Sequence, residues 1–169
     1  MLSWANETLI EDGRSQSDLR QGVTLEVLGE GSSMGPWSDQ MIREEKAAQG
    51  NIKYDIEWKT LGGYMEYMEA RGVATNLASF VGNGTLRRYV MGYDHRIATS
   101  EEIEKMAALL DKEMTMGAMG MSSSLLYEPS RYANTAELIA LSKIAAKYGG
   151  MYISHLRSEG TNLLEALEE

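Results

Sequence analysis

The chain has 169 residues, of which 43% are hydrophobic and 24% charged, an ordinary globular composition long enough for one domain that buries roughly 70% of its unfolded surface. The net charge of -9, with no basic stripe, argues against nucleic acid or an anionic membrane as a general partner and fits a cytoplasmic protein. Cysteine is absent, which excludes a disulfide framework and a thiolate metal site, so any metal must be held by His, Asp or Glu. Residues Met1–Glu7 lack the basic and then apolar pattern of a secretory leader, and no apolar run approaches the length of a membrane span.

In chain order, residues 1–22 read as a helix-and-loop region, with Ser17–Gln21 as a last short helix closed by Gly22. Val23–Gly29 is rich in β-branched and apolar residues and predicts a strand that ends at Glu30. Gly31–Pro36 carries strong turn signals. Residues 37–59 are mixed and polar, a loop with a helical turn around Gln40–Ala48. Thr60 is placed to cap a helix over Leu61–Ala70, with Gly72 as its stop.

Ala74–Val81 predicts the next strand, Gly82-Asn83-Gly84 a turn, and Thr85–Met91 a short helix. Thr99-Ser100-Glu101-Glu102 has the spacing of a capping box, and Ile103, Met106, Leu110 and Met114 give the helix it opens an apolar stripe. Ala118–Leu125 predicts a strand of small residues. Asn134 or Thr135 caps a helix that runs to Tyr148, with Leu138, Leu141, Ile144 and Ala145 inward. Met151–His155 is a short apolar strand, and Thr161–Glu169 opens one more helix.

Strand and helix alternate throughout, which implies a parallel sheet with right-handed crossovers. No linker divides the chain, so residues 1–169 read as one domain. No Gly-x-Gly-x-x-Gly or phosphate-binding loop follows a strand, so a nucleotide-binding open sheet has no support.

Two residues stand at the ends of predicted strands with chemistry to offer, Glu30 and His155. In a parallel sheet such ends share one side, and a carboxylate beside an imidazole can share a divalent metal. A catalytic zinc asks for three protein ligands, so the pair is not a complete site. His95, the second of the two histidines, lies in a polar loop and reads as a surface residue. Ser122–Ser124 end a strand without a nucleophile elbow and read as small packed residues. Tyr127 follows them, where its phenol can either anchor a loop or meet an anionic group.

Gln21–Pro36 resembles the second-strand region of the N-acyl-D-amino-acid deacylases, a branch of the amidohydrolase superfamily. Four further stretches agree in order: Ala78–Gly82 with Thr85–Arg88, Ser124–Pro129 with Tyr132-Ala133, Glu137–Leu141, and Tyr152–Gly160 with its Ser-His-x-Arg segment. The resemblance covers essentially the whole chain. It implies a partial (β/α)8 barrel of the TIM type, roughly strands two to five with their helices, and zinc at the C-terminal face. His155 then corresponds to a metal ligand. Glu30 stands at or next to the position where well-known members carry a cysteine ligand. Tyr127 corresponds to a residue near the substrate, an N-acyl-D-amino acid.

The family's His-x-His pair, a further histidine and the aspartate that moves the proton have no counterpart in this sequence. The resemblance therefore implies an internal fragment that holds part of a metal site, no catalytic residue of its own, and open sheet edges that need the missing barrel strands or a second copy. Val23, Val27, Leu77 and Ile153 are the apolar residues expected on the uncovered surface. A dihydroorotase or hydantoinase relative is a second reading, disfavoured because no lysine ends a predicted strand. A non-catalytic half-barrel that binds or assembles is a third.

Overall fold

The computed structural model of the chain describes residues 2–169. Its sheet is built from five parallel strands, β1 (Leu25–Leu28), β2 (Asn76–Ser79), β3 (Val81–Gly82), β4 (Gly120–Ser124) and β5 (Met151–His155). β1 pairs with β2, and β3 with β4 and β4 with β5. β2 and β3 are one course of chain bent at Phe80: the Phe80 amide donates to the Leu28 carbonyl (3.0 Å), while the Ser79 carbonyl accepts from the Met119 amide (2.9 Å). The spatial order is the sequence order, with no reversal. On the far side of β1, Leu2 forms a parallel bridge to Val27 and the Ser3 amide donates to the Val27 carbonyl (2.7 Å).

Helices link the strands and cover the sheet. α1 (Asn6–Glu11) and α2 (Gln16–Arg20) precede β1, and α3 (Asp39–Ala48) and α4 (Leu61–Arg71) connect β1 to β2. α5 (Asn83–Met91) and α6 (Ser100–Thr115) connect β3 to β4. α7 (Thr135–Lys147), after a 3-10 turn at Ser130–Tyr132, connects β4 to β5, and α8 (Leu163–Glu168) follows. α6 lies between α5 and α7, and α7 packs on β4 and β5. Every residue of β4 is buried, as parallel strands covered on both faces are. The core runs from Leu9 and Ile10 through Leu28, Tyr64 and Met68 to Met106, Leu110, Met121 and Leu141.

Local chemistry accounts for the boundaries. The Thr60 hydroxyl accepts from the Gly63 amide at the start of α4, and Gly72 at φ 82° ends it. Thr99 and Glu102 form the expected capping box at α6, and Asn134 rather than Thr135 caps α7. Two connections differ from expectation. Residues 39–48 form a full helix, capped by Ser38 and held by a single buried residue, Met41; with so narrow an apolar face, the composition reads as loop. Gly82–Gly84 is not a turn, because Gly82 serves as the extended cap of a helix that already begins at Asn83.

The long segment between α3 and α4 is pinned by aromatic packing. Trp58 sits against Tyr64 at 5.1 Å and Tyr67 at 4.8 Å, and its indole donates to the Met34 carbonyl (2.7 Å). That bond fastens the loop after β1, the loop that carries Glu30. Among the described residues, no helix is long and apolar enough to cross a membrane. Val23, Val27, Leu77 and Ile153 are half-buried; the exposed apolar surface lies instead at Ile139, Met151, Tyr152, Leu164 and Leu167.

Candidate metal and substrate site

The site lies at the C-terminal ends of β1, β4 and β5, and two glycines build it. Gly29 and Gly31 adopt φ of 89° and 70°, a region that favours glycine. A Cβ on Gly31 would lie 2.0 Å from the Ser124 hydroxyl, and one on Gly29 would lie 2.2 Å from the Phe80 carbonyl. The backbone therefore turns tightly over the end of β4. The Ser122 hydroxyl holds it there, accepting from the Gly31 amide (3.0 Å) and donating to the Gly29 carbonyl. Glu30, between the two glycines, is swung across β4 toward β5. Ser122 thus acts through hydrogen bonding as well as small size.

His155 ends β5, in register with Ser124. Its Nδ1 lies 3.6 Å from Glu30 Oε1, so the two strand-end residues meet on one face of the sheet. The other Glu30 oxygen accepts from the Trp4 indole (3.3 Å). His155 Nε2 is buried and makes no hydrogen bond among the described residues; the Glu159 carboxylate is 3.3 Å away, an ion-pair distance outside hydrogen-bonding alignment. The Tyr127 ring meets the imidazole edge-on at 5.3 Å. Trp4, Glu30, Tyr127 and His155, with Ser32, Ser124 and Glu128, line an open cavity of about 380 Å³.

Arg157 fixes the loops around this cavity. Its guanidinium donates to the Arg131 carbonyl (2.8 Å), the Ala133 carbonyl (2.8 Å) and the Glu169 carboxylate (2.7 Å). The loop after β5 is thereby tied to the loop after β4 that bears Tyr127. The second histidine is placed elsewhere: His95 Nε2 pairs with Glu128 (3.1 Å) and its ring stacks on Tyr132 at 5.1 Å. Ser123 is absorbed by Tyr152 (2.7 Å) and Ser154 (2.9 Å).

Two groups that touch the pair have no role in the sequence reading. Glu159, against His155, stands four residues after it, a spacing that was legible. Trp4 comes from 26 residues upstream of Glu30, and no local pattern signals it. As a metal site the arrangement is a share of one. A buried imidazole nitrogen that makes no hydrogen bond among the described residues, beside a carboxylate, is the donor chemistry zinc takes, yet the described residues hold no group of three or more His, Cys, Asp or Glu able to hold a metal ion.

No family model matches the chain. D-aminoacylase of Alcaligenes xylosoxydans xylosoxydans is 34% identical over 161 residues, covering 89% of this chain and 31% of that protein. A crystal structure of D-aminoacylase, described as defining a novel subset of amidohydrolases, superposes with a TM-score of 0.81 at 31% identity, covering 97% of this chain and 35% of that one. N-acyl-D-glutamate deacylase of Bordetella bronchiseptica, solved with zinc and a phosphonate mimic of the tetrahedral intermediate, gives a TM-score of 0.82 at 25% identity over 95% of this chain and 34% of that one. The chain thus spans about a third of the length of the relatives it matches, and over that span it belongs to the N-acyl-D-amino-acid deacylase family.

Proposed function

We propose that this chain supplies strands two to five of a (β/α)8 barrel, as a single partial domain, and a share of the active site of a zinc-dependent enzyme. The reaction is hydrolysis of the amide of an N-acyl-D-amino acid to a carboxylate and a free D-amino acid. The observation that carries the reading is the meeting of Glu30 and His155 over the end of β4, in a chain that follows D-aminoacylase along nearly all its length. The unreversed parallel strand order supports the barrel, because doubly wound sheets reverse theirs. The acidic charge of -9 is in keeping with a cytoplasmic enzyme and with a small-molecule rather than a nucleic-acid partner.

Glu30 and His155 would hold the metal, with remaining ligands from polypeptide beyond this chain. Bound zinc supplies Lewis acidity toward the amide carbonyl and a nucleophilic hydroxide near neutral pH. Trp4 orients the Glu30 carboxylate through its indole, and the Ser122 contacts hold the Glu30 backbone in place. Tyr127 offers a phenol O–H to an anionic group of the substrate, and Arg157 keeps its loop in register with His155. The aspartate that moves the proton in the family has no counterpart in this sequence, so that role is assigned to polypeptide beyond it.

The test is release of free D-amino acid from N-acetyl-D-leucine by the intact polypeptide that carries this chain, before and after chelation. Activity should require zinc, and His155→Ala should weaken zinc binding by more than the roughly 10–100-fold that loss of an outer partner costs. Full activity in metal-free enzyme, or turnover of cyclic ureides alone, overturns the proposal.

A further inference from the structure

A second cavity of about 300 Å³ adjoins the first, and Ser32 and Glu128 line both. Its floor is apolar, formed by Met34 and Trp37, both buried, with Pro129 at one side and Tyr93 at the rim. The one cation in its wall is Arg88, whose side chain is only 15% exposed. That charge is already taken. One Arg88 amino group donates to Glu44 (2.9 Å), the other donates to Glu45, and the guanidinium lies over the Tyr93 ring at 5.2 Å. The pairing holds the Glu44 carboxyl below the usual carboxylate range. Glu128, the second carboxylate in the wall after Glu45, takes the Tyr132 hydroxyl (3.0 Å) and His95 (3.1 Å). Among the cavity's lining residues, one cation therefore faces two carboxylates, with Glu44 a third anion just behind, and a further anion would enter against like charge. What the wall does leave open is neutral in kind: Arg88 Nε and Asn6 Oδ1 are buried and make no hydrogen bond among the described residues, a donor and an acceptor that an uncharged group can meet.

We propose that this cavity receives the uncharged arm of the N-acyl-D-amino acid, and that Glu44 and Glu45, by occupying Arg88, bar a second carboxylate from it. The arm is either the acyl chain or a neutral D-side chain; both present the same chemistry to Met34 and Trp37. The inference rests on the deacylase reading. It sets this protein apart in substrate from a deacylase of N-acyl-D-glutamate, whose substrate carries a carboxylate on the side chain.

The experiment compares the intact polypeptide with its Glu44→Gln/Glu45→Gln double variant on N-acetyl-D-leucine, N-succinyl-D-leucine and N-acetyl-D-glutamate. The native protein should favour N-acetyl-D-leucine. Freeing Arg88 should raise the relative kcat/KM of one carboxylated substrate by about tenfold, the worth of one partly buried charge contact. A gain for the succinyl compound assigns the cavity to the acyl arm, and a gain for the glutamate compound assigns it to the side chain. If neither ratio moves while N-acetyl-D-leucine is hydrolysed, the cavity proposal falls and the deacylase reading stands. If the native protein hydrolyses none of the three, the deacylase reading falls and this proposal with it. Should the double variant not fold, Tyr93→Ala at the exposed rim gives the same decision: it should raise the ratio of N-octanoyl-D-leucine or N-acetyl-D-phenylalanine to N-acetyl-D-leucine, and unchanged ratios would overturn the proposal.

Discussion

At the scale of single residues, the sequence yields those whose position along a strand determines where they point. Glu30 and His155 each follow an apolar run, and a parallel sheet brings such ends to one face. The contacts that make the pair usable were not legible. Trp4 reaches Glu30 across 26 residues of chain, and Ser122 reads as a packing residue until the Gly29–Gly31 turn is laid over it. Tyr127 is the residue whose role is easiest to isolate. It is 57% exposed, and its amide, not its phenol, anchors the loop by donating to the Ser124 carbonyl (2.9 Å). Tyr127→Phe keeps the ring against His155 and removes only the hydroxyl. A hydrogen bond to a charged group is worth about 1.5–3 kcal/mol, so KM for N-acetyl-D-leucine should rise roughly tenfold or more in the intact polypeptide while zinc content holds. An unchanged KM would mean that the phenol does not meet the substrate.

At the scale of elements, caps are written locally and ion pairs between helices are not. The box at α6 is visible as Thr99-x-x-Glu102, because both partners fall within one turn. Arg96 completes it from the preceding loop, donating to both Glu102 oxygens (2.8 and 2.6 Å). Those bonds, with the Thr99 amide, bring the Glu102 carboxyl from 4.5 down to about 2. A carboxyl lowered on folding contributes stability above its unfolded pKa and loses it as pH falls through the folded one. Glu102→Gln should therefore lower the melting temperature at pH 6, and the gap to the parent should close between pH 4.5 and 2. A gap of constant size would show that the ionised carboxylate contributes nothing.

Arg87 and Glu137 are the opposite case. They join α5 to α7 as a fully buried pair, with Asn83 donating to the second Glu137 oxygen (2.9 Å). Burial pushes the Glu137 carboxyl up, against the pull of Asn83 and Arg87. In sequence both residues look like solvated helix charges. Removing one partner strands the other in the core, so Arg87→Met should cost about 3–5 kcal/mol, and Arg87→Met/Glu137→Met should recover most of that. Urea denaturation measures both, and a single-variant cost near zero would mean that Glu137 finds another partner.

At the scale of the whole molecule, alternation of strand and helix was enough to predict a parallel sheet, and the spatial order of strands was not. In the proposed barrel, closure of the sheet depends on strands beyond these 169 residues, and that shapes how the isolated chain should behave. β5 pairs with β4 along one side, and no described residue pairs with its other edge. An open strand edge is a template for another chain, whereas a closed barrel has none. Beside that edge, Leu138, Ile139, Tyr152, Leu156 and Leu167 line an apolar groove of about 530 Å³ between α7, β5 and α8. Exposed apolar surface next to an unpaired edge favours association. The charge of -9 slows approach through repulsion, but it cannot satisfy the backbone of β5. The isolated chain should therefore sediment as oligomers whose size grows with concentration, and Tyr152→Lys on the edge strand should shift it toward monomer. It should release no D-amino acid even with added zinc, since Glu30 and His155 alone leave the metal short of ligands. A monomer at high concentration would mean that α8, clamped by Arg157 to Glu169, shields the edge after all. A monomer with zinc-dependent turnover would place the active site within these five strands.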